Sequence, residues 1–364
     1  MSYRISQVDL AIGAEELALV KECFDKRWLS EGPRCQEFLQ KICEVTESKY
    51  AVLAPNGTLG LYLALMALDL PQGSEVIVPS FTFYASAASC VFAGLKPVFV
   101  DILDETLNVD CSKLEAAITS NVKAIMPIHI YGQSCDIDPI LQLAKKYNLR
   151  VIEDAAQALG VKYKGRHVGA IGDLGVFSFF SDKVITTGEG SAITTNDETL
   201  YNKLKMMRNQ GRPNAGTFIH PELGMNFRIT EVQASIGLAQ IAKMDKLVAR
   251  RLELWKQYEE KLRNHEEITF IKQESFSTLI PFRFIIKSRH KDRIMQHLES
   301  KGIQTRSCFY PLNLQPQLKH YRSNDCTISK KSYDEGMCLP VHHNISDSDV
   351  EFISAAILES VNAI

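Results

Sequence analysis

The stretch EVIVPSFTFYASAASCVFAGLKPVFVD, residues 75–101, sets the pattern that decides the fold. It opens with an apolar run typical of a buried strand (75–79), passes through a helical segment (85–93) and ends in a second apolar run (97–101). A strand, a helix and a strand in this order are typical of a parallel sheet that is covered on both faces. This stretch therefore predicts an α/β protein.

The same alternation extends on both sides of this unit. Further strands are predicted at 124–130 and 150–154, and further helices at 59–68, 112–118 and 139–147. Beyond the last of these strands the pattern changes to turns and short apolar runs, which indicates antiparallel or crossover elements. We expect a large domain with a mostly parallel central sheet flanked by helices.

The C-terminal third of the chain has a different pattern. Thr230 is available as an N-cap, and a single long helix is predicted from there to about residue 264. The remainder has the pattern of an α+β unit, and its closing helix begins after Ser346 with a capping-box-like start. We predict a large domain over residues 1–245, including the N-terminal segment, and a smaller C-terminal α+β domain over 246–364.

Composition argues against several classes of protein. The 364 residues are 45% apolar and 23% charged, which allows a large core, and the net charge of −2 gives no electrostatic reason to bind nucleic acid. No apolar run reaches the roughly 18–20 residues that span a bilayer, and the N-terminus lacks the pattern of a secretory signal. Nine scattered cysteines without a C-x-x-C pair favour reduced thiols over a disulfide framework or a zinc site. We expect a cytoplasmic protein that binds no metal, nucleic acid or membrane.

Three polar features follow predicted strands and suggest a ligand site. Asn56-Gly57-Thr58 opens a helix, and a helix N-terminus suits a phosphate, which the Ser178 hydroxyl could also bind. Asp154 ends a strand, where ligands of α/β sheets gather. Lys183 follows the apolar run FSFF, and burial there would lower its pKa and favour the neutral amine that Schiff-base chemistry needs. Each feature alone also has an ordinary structural explanation as an N-cap, a loop carboxylate or a solvated lysine, so their combination carries the prediction.

Six segments occur in a fixed order along the chain. They are NGT (56–58), VIVPSFTFYASA (76–87), KAIMPIHIYGQ (123–133), VIEDAAQALG (151–160), FSFFSDKVITTGEG (177–190) and GMNFRITEVQASIGLAQ (224–240). In this order they resemble the pyridoxal-phosphate-dependent sugar aminotransferases of the DegT/DnrJ/StrS type, a branch of the fold-type-I aspartate aminotransferase superfamily. The lysine-containing segment is highly specific, whereas NGT alone is weak.

The resemblance implies pyridoxal 5′-phosphate as the cofactor and assigns residues to its ring. Lys183 would bind the cofactor covalently and act as general acid and base. Asp154 would pair with the pyridine nitrogen and Gln157 would lie near the ring hydroxyl. Phe83 matches the aromatic residue that stacks on the ring.

The resemblance also implies how the phosphate is held. Thr58 and Leu59, through their backbone N–H groups after Gly57, and Ser178 would bind it within one subunit. Asn226 would reach the phosphate in the neighbouring subunit's site. The protein would then be a homodimer with shared active sites.

The sequence of these segments is most similar to that of the perosamine-synthase-like branch. This resemblance implies amination of a nucleotide-linked 4-keto-6-deoxyhexose with glutamate as donor. A 3-keto sugar or a small non-sugar ketone are alternative acceptors. A keto-sugar dehydratase would carry His in place of Lys183, and a non-catalytic regulator would have lost the lysine or its acidic partner. Candidate substrate neighbours complete the prediction: Trp28, His220, Tyr310 and Asn313.

Four positions depart from the usual sequence of this branch. Leu59-Gly60 stands where Thr-Ala is usual, so that a hydroxyl near the phosphate is missing. Ser191 replaces a glycine after GEG, and Asn313 stands where the family often has His. These departures put the identity of the substrate in doubt and leave the cofactor chemistry intact.

Overall fold

The computed structural model describes residues 3–214 and 216–362. The helices are α1 (Ala14–Asp25), α2 (Pro33–Thr46), α3 (Gly57–Ala67), α4 (Ala85–Phe92), α5 (Leu114–Ala117), α6 (Ile137–Tyr147), α7 (Glu198–Arg208), α8 (Glu231–Ala242), α9 (Met244–Leu262), α10 (Lys291–Ser300), α11 (Thr327–Glu335) and α12 (Asp347–Asn362). The strands are β1 (Tyr50–Ala54), β2 (Glu75–Pro79), β3 (Lys96–Val100), β4 (Val122–Ile125), β5 (Arg150–Asp154), β6 (Lys162–Tyr163), β7 (Arg166–His167), β8 (Leu174–Ser178), β9 (Ser191–Thr195), β10 (Thr269–Phe270), β11 (Phe284–Lys287), β12 (Arg306–Ser307) and β13 (Gly336–Leu339).

The larger sheet has seven strands in the order β1-β9-β8-β5-β4-β2-β3. Strands β3, β2, β4, β5 and β8 run parallel to their neighbours, whereas β9 is antiparallel to both β8 and β1. Their inner residues are almost all buried, as expected of strands covered by helices on both faces. The predicted mostly parallel α/β sheet is confirmed, as are the antiparallel elements after β5.

Sheet register brings the candidate residues to one edge. Ser191 at the start of β9 pairs with Ala54 at the end of β1 and with Ser178 at the end of β8. The start of α3, which follows β1, therefore lies beside the end of β8. Asp154 ends the neighbouring strand β5, so this edge collects the carboxyl ends of three strands.

A second sheet lies in the C-terminal part of the chain. Its four strands are antiparallel in the order β10-β11-β13-β12, and α9, α10 and α12 accompany it. Ser346 caps α12 as predicted, because its hydroxyl accepts from the Asp349 N–H (3.1 Å) while Asp349 accepts from the Ser346 N–H (3.0 Å). The predicted smaller α+β unit is confirmed, whereas the boundary between residues 245 and 246 stays a prediction.

Two predicted elements have other bounds. The long helix predicted from Thr230 is broken at Lys243, whose backbone leaves the helical region (φ −110°, ψ 11°). Helix α8 packs against α1 and α2, whereas α9 packs against α12, so the chain changes direction between two sets of partners. The strand predicted over 124–130 ends at Ile125, since Pro127 has no N–H to continue the ladder. Within the described residues, no helix is both long and apolar enough to cross a membrane.

Candidate active site

A cavity of about 560 Å³ opens at the carboxyl ends of β5 and β8, between the two sheets. Segments far apart in sequence meet there, because the larger sheet supplies one wall and the C-terminal sheet supplies the other. Eight of the predicted site residues line this cavity: Gly57, Thr58, Leu59, Phe83, Asp154, Gln157, Ser178 and Lys183.

The first turn of α3 forms one end of the cavity. Asn56 caps the helix by accepting from the Leu59 N–H (3.0 Å), so this N–H is already engaged, while those of Gly57 and Thr58 belong to the part of the turn without intrahelical acceptors. A Cβ on Gly57 would lie 3.2 Å from the Ser178 hydroxyl oxygen, so glycine lets the helix approach β8 closely. The positive end of the helix and a nearby hydroxyl together suit a phosphate.

Lys183 lies at the middle of the cavity. Its Nζ is 3.6 Å from Asp182 Oδ1 and 4.1 Å from the centroid of the Phe282 ring. Burial lowers the pKa of Lys183, and the neighbouring Asp182 carboxylate only partly opposes this effect. A lysine in this environment can supply a neutral amine, as the sequence predicts.

Asp154 and its neighbour Glu153 face opposite sides of β5, as strand alternation requires. Asp154 points into the cavity, accepts from the Ser86 hydroxyl (2.7 Å) and the Ala156 N–H (3.1 Å), and has a pKa that burial raises. Glu153 lies behind the sheet, where His129 Nε2 is 3.0 Å away and the N–H groups of residues 169, 171 and 172 donate to it. Although burial alone raises the pKa of Glu153, the hydrogen bond with His129 and the backbone donors bring it below its usual value.

Gln157 and Phe83 line the same cavity as Asp154. Gln157 Oε1 accepts from the Tyr131 N–H (2.8 Å), which fixes the orientation of the side-chain amide. Phe83 is 58% exposed at the cavity mouth, 6.2 Å from the Phe309 ring. An exposed aromatic ring and a buried carboxylate that line one cavity suit a flat cationic ligand.

Five predicted residues lie outside this cavity. Trp28 is exposed and its indole N–H donates to the Glu31 carbonyl (3.3 Å). His220 and Asn226 lie on an exposed segment before α8, where His220 Nδ1 is 2.7 Å from the Gln210 carbonyl.

The other two belong to the segment after β12. Tyr310 packs edge-on against Tyr333, and Asn313 accepts from the Ser80 hydroxyl (2.6 Å). Phe309, directly before Tyr310, lines the cavity and stacks on Tyr131 with ring centroids 5.3 Å apart. Phe309 therefore faces the cavity of this chain, whereas Tyr310 lies outside it and its role as a substrate neighbour stays a prediction.

Several cavity residues were missing from the sequence prediction. Asp182 directly precedes the lysine, and its Oδ2 lies 2.5 Å from Arg283 Nη2. Arg306 Nη1 is 3.8 Å from the same oxygen. The two arginines come from the C-terminal sheet, so no pattern local to the lysine segment could indicate them. Asp182, in contrast, directly precedes Lys183 in the segment FSFFSDK, so the sequence itself could have indicated it as a site residue.

Gly60 and Ser191, which both differ from the residues usual in the family, compensate for each other. A Cβ on Gly60 would lie 2.4 Å from the Ser191 hydroxyl oxygen and 3.0 Å from Val176 Cγ1. The Ser191 hydroxyl occupies that space and donates to the Phe177 carbonyl (2.7 Å). Where the family usually has alanine at position 60 and glycine at position 191, this chain has glycine and serine. The small side chain in this space therefore comes from the strand and not from the helix.

This pairing predicts strong coupling between the two positions. Gly60→Ala alone should lower the free energy of unfolding by about 1–3 kcal/mol, because the buried methyl group overlaps the serine hydroxyl. With Ser191→Gly added, part of that loss should return, giving a coupling energy of about 1 kcal/mol or more in a double-mutant cycle. Urea denaturation of the four proteins measures it, and strictly additive effects would contradict the compensation.

Comparison with known proteins agrees with this site. The model of the DegT/DnrJ/EryC1/StrS aminotransferase family matches residues 10–358. A GDP-perosamine synthase of Caulobacter vibrioides is 39% identical over 361 residues, 97% of each chain, and one of Escherichia coli O157:H7 is 37% identical over 96% of each. The X-ray structure of an aminotransferase from Psychrobacter cryohalolentis superposes with a TM-score of 0.92 at 30% identity, covering 98% of this chain and 99% of that one. The chain therefore belongs to the DegT/DnrJ/EryC1/StrS aminotransferase family, whose enzymes depend on pyridoxal phosphate.

Proposed function

We propose that this aminotransferase moves an amino group from glutamate to C4 of a nucleotide-linked 4-keto-6-deoxyhexose, with guanosine diphosphate as the nucleotide. One observation carries the chemistry: the Lys183 amine, on a side chain only 16% exposed, the Asp154 carboxylate and the N-terminus of α3 line one cavity. The choice of sugar and nucleotide is supported by the two similar GDP-perosamine synthases.

The residues of the cavity fit pyridoxal phosphate along its whole length. The start of α3 and Ser178 would hold the phosphate, and Asp154 and Phe83 would hold the ring. When bound, the cofactor supplies an electron sink for the carbanion formed at the donor's α-carbon. Asp154 would keep a proton on the ring nitrogen. The protonated nitrogen would in turn give the buried Asp154 carboxylate a cationic partner.

Lys183 would do the proton transfers of both half-reactions. Its Nζ would take the proton from the α-carbon of glutamate and deliver one to the carbon on the other side of the donor nitrogen. Water would then release 2-oxoglutarate, and the amino group would be retained for the keto sugar. The keto sugar then follows the same steps in reverse. A general base with a pKa lowered by burial is suited to this role near neutral pH.

The experiment that tests this function is an acceptor screen with the purified protein, pyridoxal phosphate and glutamate. We expect the fastest amino-sugar formation, detected by mass spectrometry, with a GDP-linked 4-keto-6-deoxyhexose. A dTDP-linked 4-keto sugar, a 3-keto sugar and a small keto acid serve as comparisons. Faster amination of any of these would replace the proposed substrate, loss of water from the sugar without amination would indicate a dehydratase, and no reaction with any acceptor would favour the regulator.

We further propose a homodimer in which each subunit completes its partner's site. Asn226, the predicted phosphate ligand, lies outside the cavity of its own chain. The segment that carries it exposes large apolar side chains, since Phe218 is 87% and Leu223 86% exposed. Apolar groups clustered at the surface favour burial against another protein surface, and a second copy of this chain would cover them.

Mixing two inactive variants tests this shared site. Lys183→Ala and Asn226→Asp homodimers should each be nearly inactive, because one lacks the amine and the other places a negative charge beside the phosphate. After exchange of subunits, the mixture should recover about a quarter of wild-type activity, since half of the dimers then hold one intact site of two. If Asn226 served its own subunit, no mixed dimer would contain an intact site and no activity would return.

A further inference from the structure

The Asp182 carboxylate lies beside the Lys183 amine, and one of its two oxygens accepts no hydrogen bond from the described residues. Its Oδ2 lies 2.5 Å from Arg283 Nη2, and this arginine is only 7% exposed. Its Oδ1 is buried, has no hydrogen-bond partner among residues 3–214 and 216–362, and lies 3.6 Å from Lys183 Nζ. Buried oxygens are ordinarily hydrogen-bonded, so this one requires an explanation.

The surroundings hold this carboxylate in place. The Arg283 guanidinium lies 4.3 Å from the centroid of the Phe282 ring, on which Lys183 Nζ also rests at 4.1 Å. The fixed fork of an arginine restrains its carboxylate partner more than a lysine would. Asp182 Oδ1 is therefore held toward the amine.

We propose that Asp182 is a positioning residue whose Oδ1 receives the Lys183 ammonium and holds it beside the donor carbon between the two proton transfers. This inference rests on the proposed role of Lys183. The amine takes one proton from the donor's α-carbon and gives one back, so Asp182 neither gains nor loses a proton. A carboxylate beside the ammonium stabilises it during the interval in which it carries the charge.

The charges around the amine define the test. The charged and titratable groups that line this cavity or the space beside it are Asp9, Tyr131, Asp154, Asp182, Glu189, Arg251, Arg283, Arg306, Cys338 and His343. Burial has the largest effect on the pKa of Lys183 and lowers it, Asp182 raises it, and Arg283 lowers it further. Removing Asp182 or Arg283 should therefore move the titration of this nitrogen in opposite directions.

The experiment is a pH titration of the visible absorbance of the full-length protein with pyridoxal phosphate bound. Asp182→Asn should lower the midpoint by about one pH unit or more, because an opposite charge near the nitrogen is lost. Arg283→Met should raise it. Ser181→Ala, next to Asp182 with its hydroxyl on the Gly188 carbonyl (3.3 Å), is the control and should keep the wild-type midpoint.

Midpoints that shift in opposite directions in Asp182→Asn and Arg283→Met indicate an effect of charge on the nitrogen. A general loss of packing would shift both midpoints in the same direction or leave both unchanged. An unchanged midpoint in Asp182→Asn, or shifts of the same sign, would overturn the role of Asp182. If Asp182→Asn does not fold, Asp182→Ser, which also removes the charge, takes its place and should show the same fall in the midpoint. Borohydride trapping and peptide mapping of the wild-type protein test the role of Lys183 separately from that of Asp182. A label on Lys183 together with an unchanged midpoint in Asp182→Asn refutes only the role of Asp182. A label on another residue refutes the role of Lys183 as well.

Discussion

Replacing Lys183 by alanine should lower turnover by about 10⁴-fold or more. The lysine is expected to serve as covalent anchor and as general acid and base, so a single change removes both. The other titratable groups that line the cavity cannot replace it, because a carboxylate, a phenol or a thiol forms no Schiff base and an arginine stays protonated. The rate of 2-oxoglutarate formation with glutamate and the best sugar acceptor measures the effect.

Cofactor binding should survive this change in weakened form. The phosphate site at α3 and the Asp154 carboxylate are both intact in Lys183→Ala, so equilibrium dialysis should still detect bound pyridoxal phosphate. Lys162→Ala is a matched control, since that lysine lies on the surface and pairs with Glu47 (2.5 Å) far from the cavity. Near-normal turnover of Lys183→Ala would refute its assignment as the catalytic amine.

Sequence alone could predict most of the cofactor side of this site. Asp154 and Ser178 end neighbouring strands, and Lys183 lies five residues after Ser178. Parallel strands bring their carboxyl ends to one edge whatever the details of packing. The position of each strand follows from apolar runs that are read locally. The part of the fold that depends on local patterns was therefore within reach.

The opposite wall of the cavity depends on contacts that local patterns do not encode. Arg283 meets Asp182 across 101 positions of sequence, and only the packing of the second sheet on the first brings them together. The break at Lys243 carries no glycine or proline to mark it. Which of Phe309 and Tyr310 faces the cavity depends on the path of the chain after β12, which no local pattern predicts.

The neighbouring carboxylates of β5 give the sharpest contrast between a functional and a structural acid. The folded-state pKa of Asp154 lies above its unfolded value, so its ionisation costs stability as pH rises through that interval. The folded-state pKa of Glu153 lies below its unfolded value, so its stabilisation is present above the unfolded value and lost as pH falls through the folded one. Near neutral pH, removing each charge should therefore have opposite effects on the cofactor-free protein.

We expect Asp154→Asn to leave the melting temperature of the cofactor-free protein unchanged or higher while lowering turnover by about 10²- to 10³-fold. The amide can still accept from Ser86, but it cannot hold a proton on the ring nitrogen. The rise in melting temperature that pyridoxal phosphate gives the wild-type protein should shrink in this variant, because the ring cation has lost its partner.

Glu153→Gln should show the reverse pattern. Three backbone N–H groups and His129 lose their carboxylate acceptor, which should cost about 2–5 kcal/mol of unfolding free energy. The fraction that remains folded should keep much of its turnover, since Glu153 faces away from the cavity. Melting curves with and without cofactor, measured beside initial rates, decide the case: if Asp154→Asn melted early and stayed active, Asp154 would be a structural carboxylate and the proposed pairing with the cofactor ring would be wrong.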